Sequence, residues 1–218
     1  MNRRTFCAAA GIGLFAACTR LPAAPAAQVL IIHGYGATVD DHWFAWLEGA
    51  LVRAGISARR VALPDSGMPD FDRWQQVLVD AVGRPSENDI FVAHSLGTVS
   101  VLHYLSTLRP KRISGLVLVS AFGAPSPTLP SIGGFDVDAY VRRCTLDFPA
   151  LRAMTGNIEL FATADDTIVP PENTQLLAQQ LDARLTVVPH GGHFLASDGF
   201  TELPPVLQAV RRMASQLG

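Results

Sequence analysis

Ser95 stands in the run His94-Ser95-Leu96-Gly97, directly after the apolar residues 90–93 and at the start of a helix-like stretch reaching about residue 108. A strand, a sharp turn and a helix with serine at the turn lifts a hydroxyl clear of a sheet edge, and the run fits G-x-S-x-G with Ala93 in the first glycine position. Small residues are needed there because the turn crowds its neighbours against strand and helix. A serine so placed is also a good N-cap for an ordinary helix. A hydroxyl is a poor nucleophile at neutral pH and needs a base oriented by a third group. Those types follow in the chain. Asp165-Asp166 come after the apolar run 158–162, and His190-Gly191-Gly192-His193 come after the run 185–188. An acid pair and a histidine pair beyond two successive strand-like runs match the order serine, acid, histidine that acyl transfer uses in one fold class.

Such distant residues meet only if the intervening elements bring them together. Six short apolar runs, at 29–32, 58–63, 90–93, 116–120, 158–162 and 185–188, are rich in β-branched residues and lack strict alternation. That pattern marks strands buried on both faces of a parallel sheet. Between them lie helical stripes. Trp43, Trp46, Leu47, Ala50, Leu51 and Ala54 form one after the Asp40-Asp41 turn. Trp74, Val77, Leu78, Ala81 and Val82 form another, with Asp72 the expected N-cap. Leu176, Leu177 and Leu181 follow Pro170-Pro171, where proline suits a first turn. Val206, Leu207, Val210, Met213, Ala214 and Leu217 form the last. The three tryptophans read as packing residues, and His42 and His103 as helical surface or core histidines. This alternation predicts a doubly wound α/β sheet with right-handed crossovers. One connection, of about 35 residues between Phe122 and Asn157, carries Pro125, Pro127, Pro130 and Gly133-Gly134 before a helix-like stretch at 136–143. It is long enough to overhang a site and too short to be a lid domain.

A chain of 218 residues that is 49% hydrophobic suits one domain, residues 28–218, behind a distinct front end. With a net charge of −2 and Lys111 its only lysine, it has no electrostatic footprint for nucleic acid. Residues 1–17 begin with Arg3-Arg4 and continue with an uncharged stretch at 6–17, the length of a secretory h-region. Arg3-Arg4-Thr5-Phe6 resembles a twin-arginine export signal, and Phe15-Ala16-Ala17-Cys18 resembles a lipobox, with Phe15 where such boxes carry Leu, Val or Ile. Cys18 would then be lipidated and residues 18–27 would be a tether, the only route to membrane attachment. Cleavage at Ala24-Pro25-Ala26, a buried N-terminal helix, and a cytoplasmic location are the competing readings. Cys7 and Cys18 fall in this front end, leaving Cys144 alone in the domain, with no disulfide and no metal-ligand spacing. His33-Gly34-Tyr35-Gly36 ends the first run but lacks the third glycine of a dinucleotide fingerprint.

From residue 28 to 217 the chain resembles the α/β-hydrolase superfamily and, within it, the small serine hydrolases typified by retinoblastoma-binding protein 9. The resemblance rests on His33-Gly34-Tyr35-Gly36, Trp43 with Trp46-Leu47, Pro64 to Trp74, His94-Ser95-Leu96-Gly97, Asp166-x-x-Val169-Pro170 and Gly192-His193-Phe194. It implies a minimal six-stranded parallel sheet, without a lid domain, in spatial order 2-1-3-4-5-6. It also implies that Ser95 is the nucleophile, that Asp166 is the acid because it precedes x-x-Val-Pro, and that His193 is the base because it precedes Phe. Asp165 and His190 are the runners-up. Tyr35 and Leu96 are implied as amide donors to an oxyanion. His94, Phe122, Leu129, Phe135, Val169 and Phe194 are expected to line a substrate pocket. The expected reaction is hydrolysis of a small-molecule ester or related acyl bond, with no metal or organic cofactor; a binding or scaffold protein on the same fold is the alternative.

Overall fold

The computed structural model describes residues 27–125 and 131–217. Cys18, Leu129 and the expected leader and tether, apart from Ala27, lie outside them. Six strands form one parallel sheet: β1 (Gln28–Ile32), β2 (Ser57–Val61), β3 (Asp89–His94), β4 (Gly115–Val119), and, after an insert, β7 (Ile158–Thr163) and β8 (Arg184–Val188). Their order is β2-β1-β3-β4-β7-β8, and every adjacent pair is parallel. The expected spatial order is the observed one.

Alternate residues of the central strands feed two cores. Leu30, Ile32, Phe91, Leu116, Leu118 and Leu160 face one layer, packed by α2 (Phe71–Val82), α3 (Leu96–Leu108), α5 (Phe148–Met154) and α6 (Pro171–Leu181). Val29, Ile31, Ile90, Val92, Val117 and Val119 face the other, packed by α1 (Phe44–Arg53) and α7 (Pro204–Ala214). Both faces being apolar is why these strands show continuous runs instead of alternation. Trp43 and Trp74 are fully buried in the two cores.

Local signals set the helix starts. Asp70, not Asp72, caps α2: its carboxylate accepts from the Arg73 amide at 2.8 Å, while Asp72 inside the first turn pairs with Arg143 at 2.6 Å. Such a cap is worth about 1 kcal/mol. The insert holds a two-stranded hairpin, β5 (Ser131–Ile132) and β6 (Phe135–Asp136), then α4 (Val137–Arg143), capped by Asp136. The helix α5 is absent from the sequence expectation, although Asp147 caps it and Pro149 sits in its first turn. Among the described residues no separate lid stands over the sheet, and no helix is long and apolar enough to cross a membrane.

Candidate active site

The site gathers where β1, β3, β4, β7 and β8 end, the edge at which open parallel sheets bind ligands. Ser95 follows β3 with φ 53° and ψ −127°, a conformation non-glycine residues rarely adopt. Its amide stays in the ladder, donating to the Val119 carbonyl at 2.9 Å, so the sheet itself forces the turn. The neighbours must be small for a visible reason. A Cβ on Gly97 would collide with the His33 carbonyl oxygen, and one on Gly34 would lie 2.9 Å from both the His94 carbonyl oxygen and the Ser95 Cβ.

Ser95, His193 and Asp166 form one hydrogen-bonded line. The Ser95 Oγ lies 2.9 Å from His193 Nε2, and His193 Nδ1 lies 2.8 Å from Asp166 Oδ2. All three are 9% exposed or less. With Nδ1–H donating to the carboxylate, Nε2 is the nitrogen free to accept the serine proton. Asp166 is fixed in turn. Its Oδ1 accepts from the amides of Ile168 and Val169, each at 2.9 Å, and its Oδ2 also accepts from the Ser120 hydroxyl at 2.9 Å. Ser120 is fully buried at the end of β4, with φ 46°. In the sequence it is only the last residue of a strand-like run, and a lone hydroxyl ending that run is the one signal of its role.

The neighbouring acid and histidine have other partners. Asp165 accepts from the amides of Gly191 and Gly192 at 2.9 and 3.0 Å, and His190 is largely solvent-exposed, 3.4 Å from the Asp165 carboxylate. Asp165 therefore shapes the turn that aims His193. Asp198, also missed, accepts from the amides of His193 and Leu195 at 2.9 and 3.1 Å. The Asp198-Gly199 pair is a turn signal in the sequence.

Ser95 and His193 open into a cavity of about 230 Å³. Among the described residues, Tyr35, Gly36, His42, His94, Leu96, Phe122, Ile132, Val137, Ile168 and Leu195 complete its lining. His94 and Phe122 are where the sequence puts them; Phe135, Val169 and Phe194 are not. Phe135 lies behind Tyr35, stacked on its ring at 5.6 Å. Val169 is drawn into the core as its amide binds Asp166, which leaves Ile168 on the cavity side. Phe194, with φ 56°, turns inward against Phe200, so Leu195 faces the cavity. His42 lies before α1 rather than within it, with φ 55°. No carboxylate, lysine or arginine lines the cavity among the described residues. The Tyr35 segment rides directly over the first turn of α3, whose leading amides have no partner within the helix. That end of a helix favours negative charge. Cys144 is remote in kind: burial pushes its thiol up to about 12. Among the described residues no cluster of His, Cys, Asp or Glu is suited to hold a metal ion.

A sequence profile described as serine hydrolase matches residues 29–212. YdeN of Bacillus subtilis is 38% identical over 180 residues, spanning 82% of this chain and 92% of its own. The serine hydrolase RBBP9 of Rattus norvegicus is 25% identical over 192 residues, spanning 86% and 97%. The crystal structure of the B. subtilis ydeN product superposes with a TM-score of 0.80 at 35% identity, covering 87% of this chain and 99% of the other. Est1E from Butyrivibrio proteoclasticus, at 17% identity and a TM-score of 0.63 over 89% of each chain, shares the fold alone. The profile spans nearly all of the described sheet and helices, and the chain belongs to the serine hydrolase family.

Proposed function

We propose that this serine hydrolase cleaves small carboxylic esters through an acyl-enzyme on Ser95. The observation that carries the reading is the continuous line from Ser95 Oγ through the His193 ring to Asp166, at 2.9 and 2.8 Å, at the mouth of an apolar cavity. Ser95 Oγ attacks the acyl carbonyl while His193 Nε2 takes its proton; Asp166 holds the tautomer and stabilises the imidazolium that forms. The tetrahedral oxyanion accepts from the amides of Tyr35 and Leu96, each such donor being worth about 10²–10³ in rate. His193 returns the proton to the leaving alcohol, and water then releases the acid by the same steps in reverse order of roles. An uncharged wall favours an uncharged acyl group, because a carboxylate or ammonium placed there would lose its hydration without a partner. We also infer export, with residues 1–17 as the signal and Cys18 as the lipidated residue, a reading that intact mass of the native protein tests.

The central test is hydrolysis of p-nitrophenyl butyrate by the purified chain and by Ser95→Ala, with fluorophosphonate labelling in parallel. The expected result is turnover and labelling at Ser95, both abolished in the variant. Turnover that survives Ser95→Ala refutes the nucleophile assignment. A folded wild-type chain that neither turns over nor labels is a binding protein on a hydrolase fold.

A further inference from the structure

The loop carrying His193 is gripped by two other imidazoles that have no part in the proton relay. His94, the last residue of β3, is 2% exposed, and its Nε2–H donates to the main-chain carbonyl of His193 at 2.9 Å. A carbonyl partner requires the proton on Nε2. The other nitrogen, Nδ1, is buried with no partner among the described residues. Burial, reinforced by the His193 ring 4.8 Å away, holds the His94 pKa well below its ordinary value. The ring is therefore neutral and its tautomer fixed. His42 grips the loop three residues further on, its Nδ1 accepting from the Ala196 amide at 3.1 Å. Its ring lies 5.8 Å from that of His94, and it is held at φ 55°. Non-glycine residues kept in that region are over-determined by their surroundings and concentrate at functional sites.

We propose that His94 and His42 are positioning residues for His193, together latching the loop from His193 to Ala196 against the end of β3 and the start of α1. His94 fixes the carbonyl of the base itself, and His42 fixes the amide beyond it. The His193 ring is then delivered to Ser95 with its direction already set. The pair rests on the reading of His193 as base given above. A purely packing role for the two rings is the rival, and the two differ in what they require. Packing needs volume, whereas the latch needs a donor at Nε2 of residue 94 and an acceptor at Nδ1 of residue 42.

The test uses the full chain and four variants: His94→Leu, His94→Gln, His42→Ala and His42→Asn. Glutamine returns a donor near the Nε2 position. Asparagine returns an acceptor near the Nδ1 position and tolerates positive φ. The readouts are kcat and KM for p-nitrophenyl butyrate and the second-order rate of fluorophosphonate inactivation, which carries the comparison if the ester is a poor substrate. His94→Leu should lower kcat roughly 10- to 100-fold with KM within about twofold, the range expected when a reacting group is misplaced. His94→Gln should recover most of that loss. His42→Ala should lower kcat about 3- to 10-fold, with His42→Asn near wild type. If His94→Leu does not fold, the His42 pair carries the same comparison. The latch alone is overturned if the wild type is active while folded His94→Leu and His42→Ala stay within twofold of it. It is equally overturned if Gln and Asn rescue nothing, or if the losses appear only in KM. An inert wild type overturns the base assignment, and the latch with it.

Discussion

The loop after β8 and the insert after β4 both stand over the same edge of the sheet, and they meet the site by different means. Between residues 189 and 200 Phe194 is packed into the core, and the groups around His193 are aimed by polar grips that mostly come from elsewhere in the chain. Asp165 takes two amides, Thr163 donates to the Gly192 carbonyl, Asp166 takes the His193 ring, and His42 takes the Ala196 amide. The insert touches the site through Ile132 and Val137, while Phe135 rests between Tyr35 and Tyr140. Hydrogen bonds fix direction as well as distance. Apolar contacts fix volume and tolerate rearrangement. A group that must aim a lone pair is held by the first kind, and a wall that need only exclude water and charge is held by the second.

Three measurements would break or sharpen that contrast. The largest effect belongs to the polar side. Asp166→Asn keeps the geometry but presents a donor where His193 needs an acceptor, so kcat for an ester should fall about 10⁴-fold with KM little changed. A loss under tenfold would mean that the carboxylate does not orient the ring. Next comes the wall. Ile132→Asp puts a charge beside the acyl group and should lower kcat/KM for the butyryl ester by about 10- to 100-fold, mainly through KM, through the cost of desolvating an unpaired carboxylate. A fall confined to kcat would show that the insert positions the reacting groups after all.

The smallest effect is on stability. His33, His42, His94 and His103 all have lowered pKa values, with burial the first cause in each. Their ordinary value is 6.5, so below it the unfolded chain takes up protons that the folded chain refuses. Stability should therefore fall as pH drops from about 7.5 to 5, the range below and around that ordinary value. The urea midpoint measures it, and His94→Gln should flatten the dependence. A midpoint that rises on acidification would contradict four imidazoles, two buried and two half-buried, whose protonation folding disfavours.

The sheet was legible in the sequence because its central strands, buried on both faces, leave nearly continuous apolar runs, whereas the edge strand β2 carries Arg59-Arg60 and the strand order came from the resemblance. Ser95, the acid pair and the histidine pair were legible because each stands at a strand end in a short pattern of small or turn-forming residues, while the choice of Asp166 over Asp165 and of His193 over His190 came from the resemblance. The wall was not. Val169 and Phe194 stand in the motifs, but their turns send them into the core and leave Ile168 and Leu195 facing the cavity. Local periodicity carries no information about which way a turn with positive φ, as at Phe194, points its side chain. His42 was missed for the same reason, since a residue just before a helix continues its stripe on paper while its backbone leaves the helical path. Ser120 and Asp198 act through partners 46 and 5 residues away, and only the first distance is out of reach of pattern reading.

Gly97 under the His33 carbonyl has one more consequence. At Gly97 the turns after β1 and β3 meet backbone to backbone, with no side chain there to act as a cushion. They are like two halves of a mould closed once, when the chain folds. The spacing between these two stretches of backbone is thereby set before any substrate arrives, which is what the proposed oxyanion donors, the amides of Tyr35 and Leu96, would require.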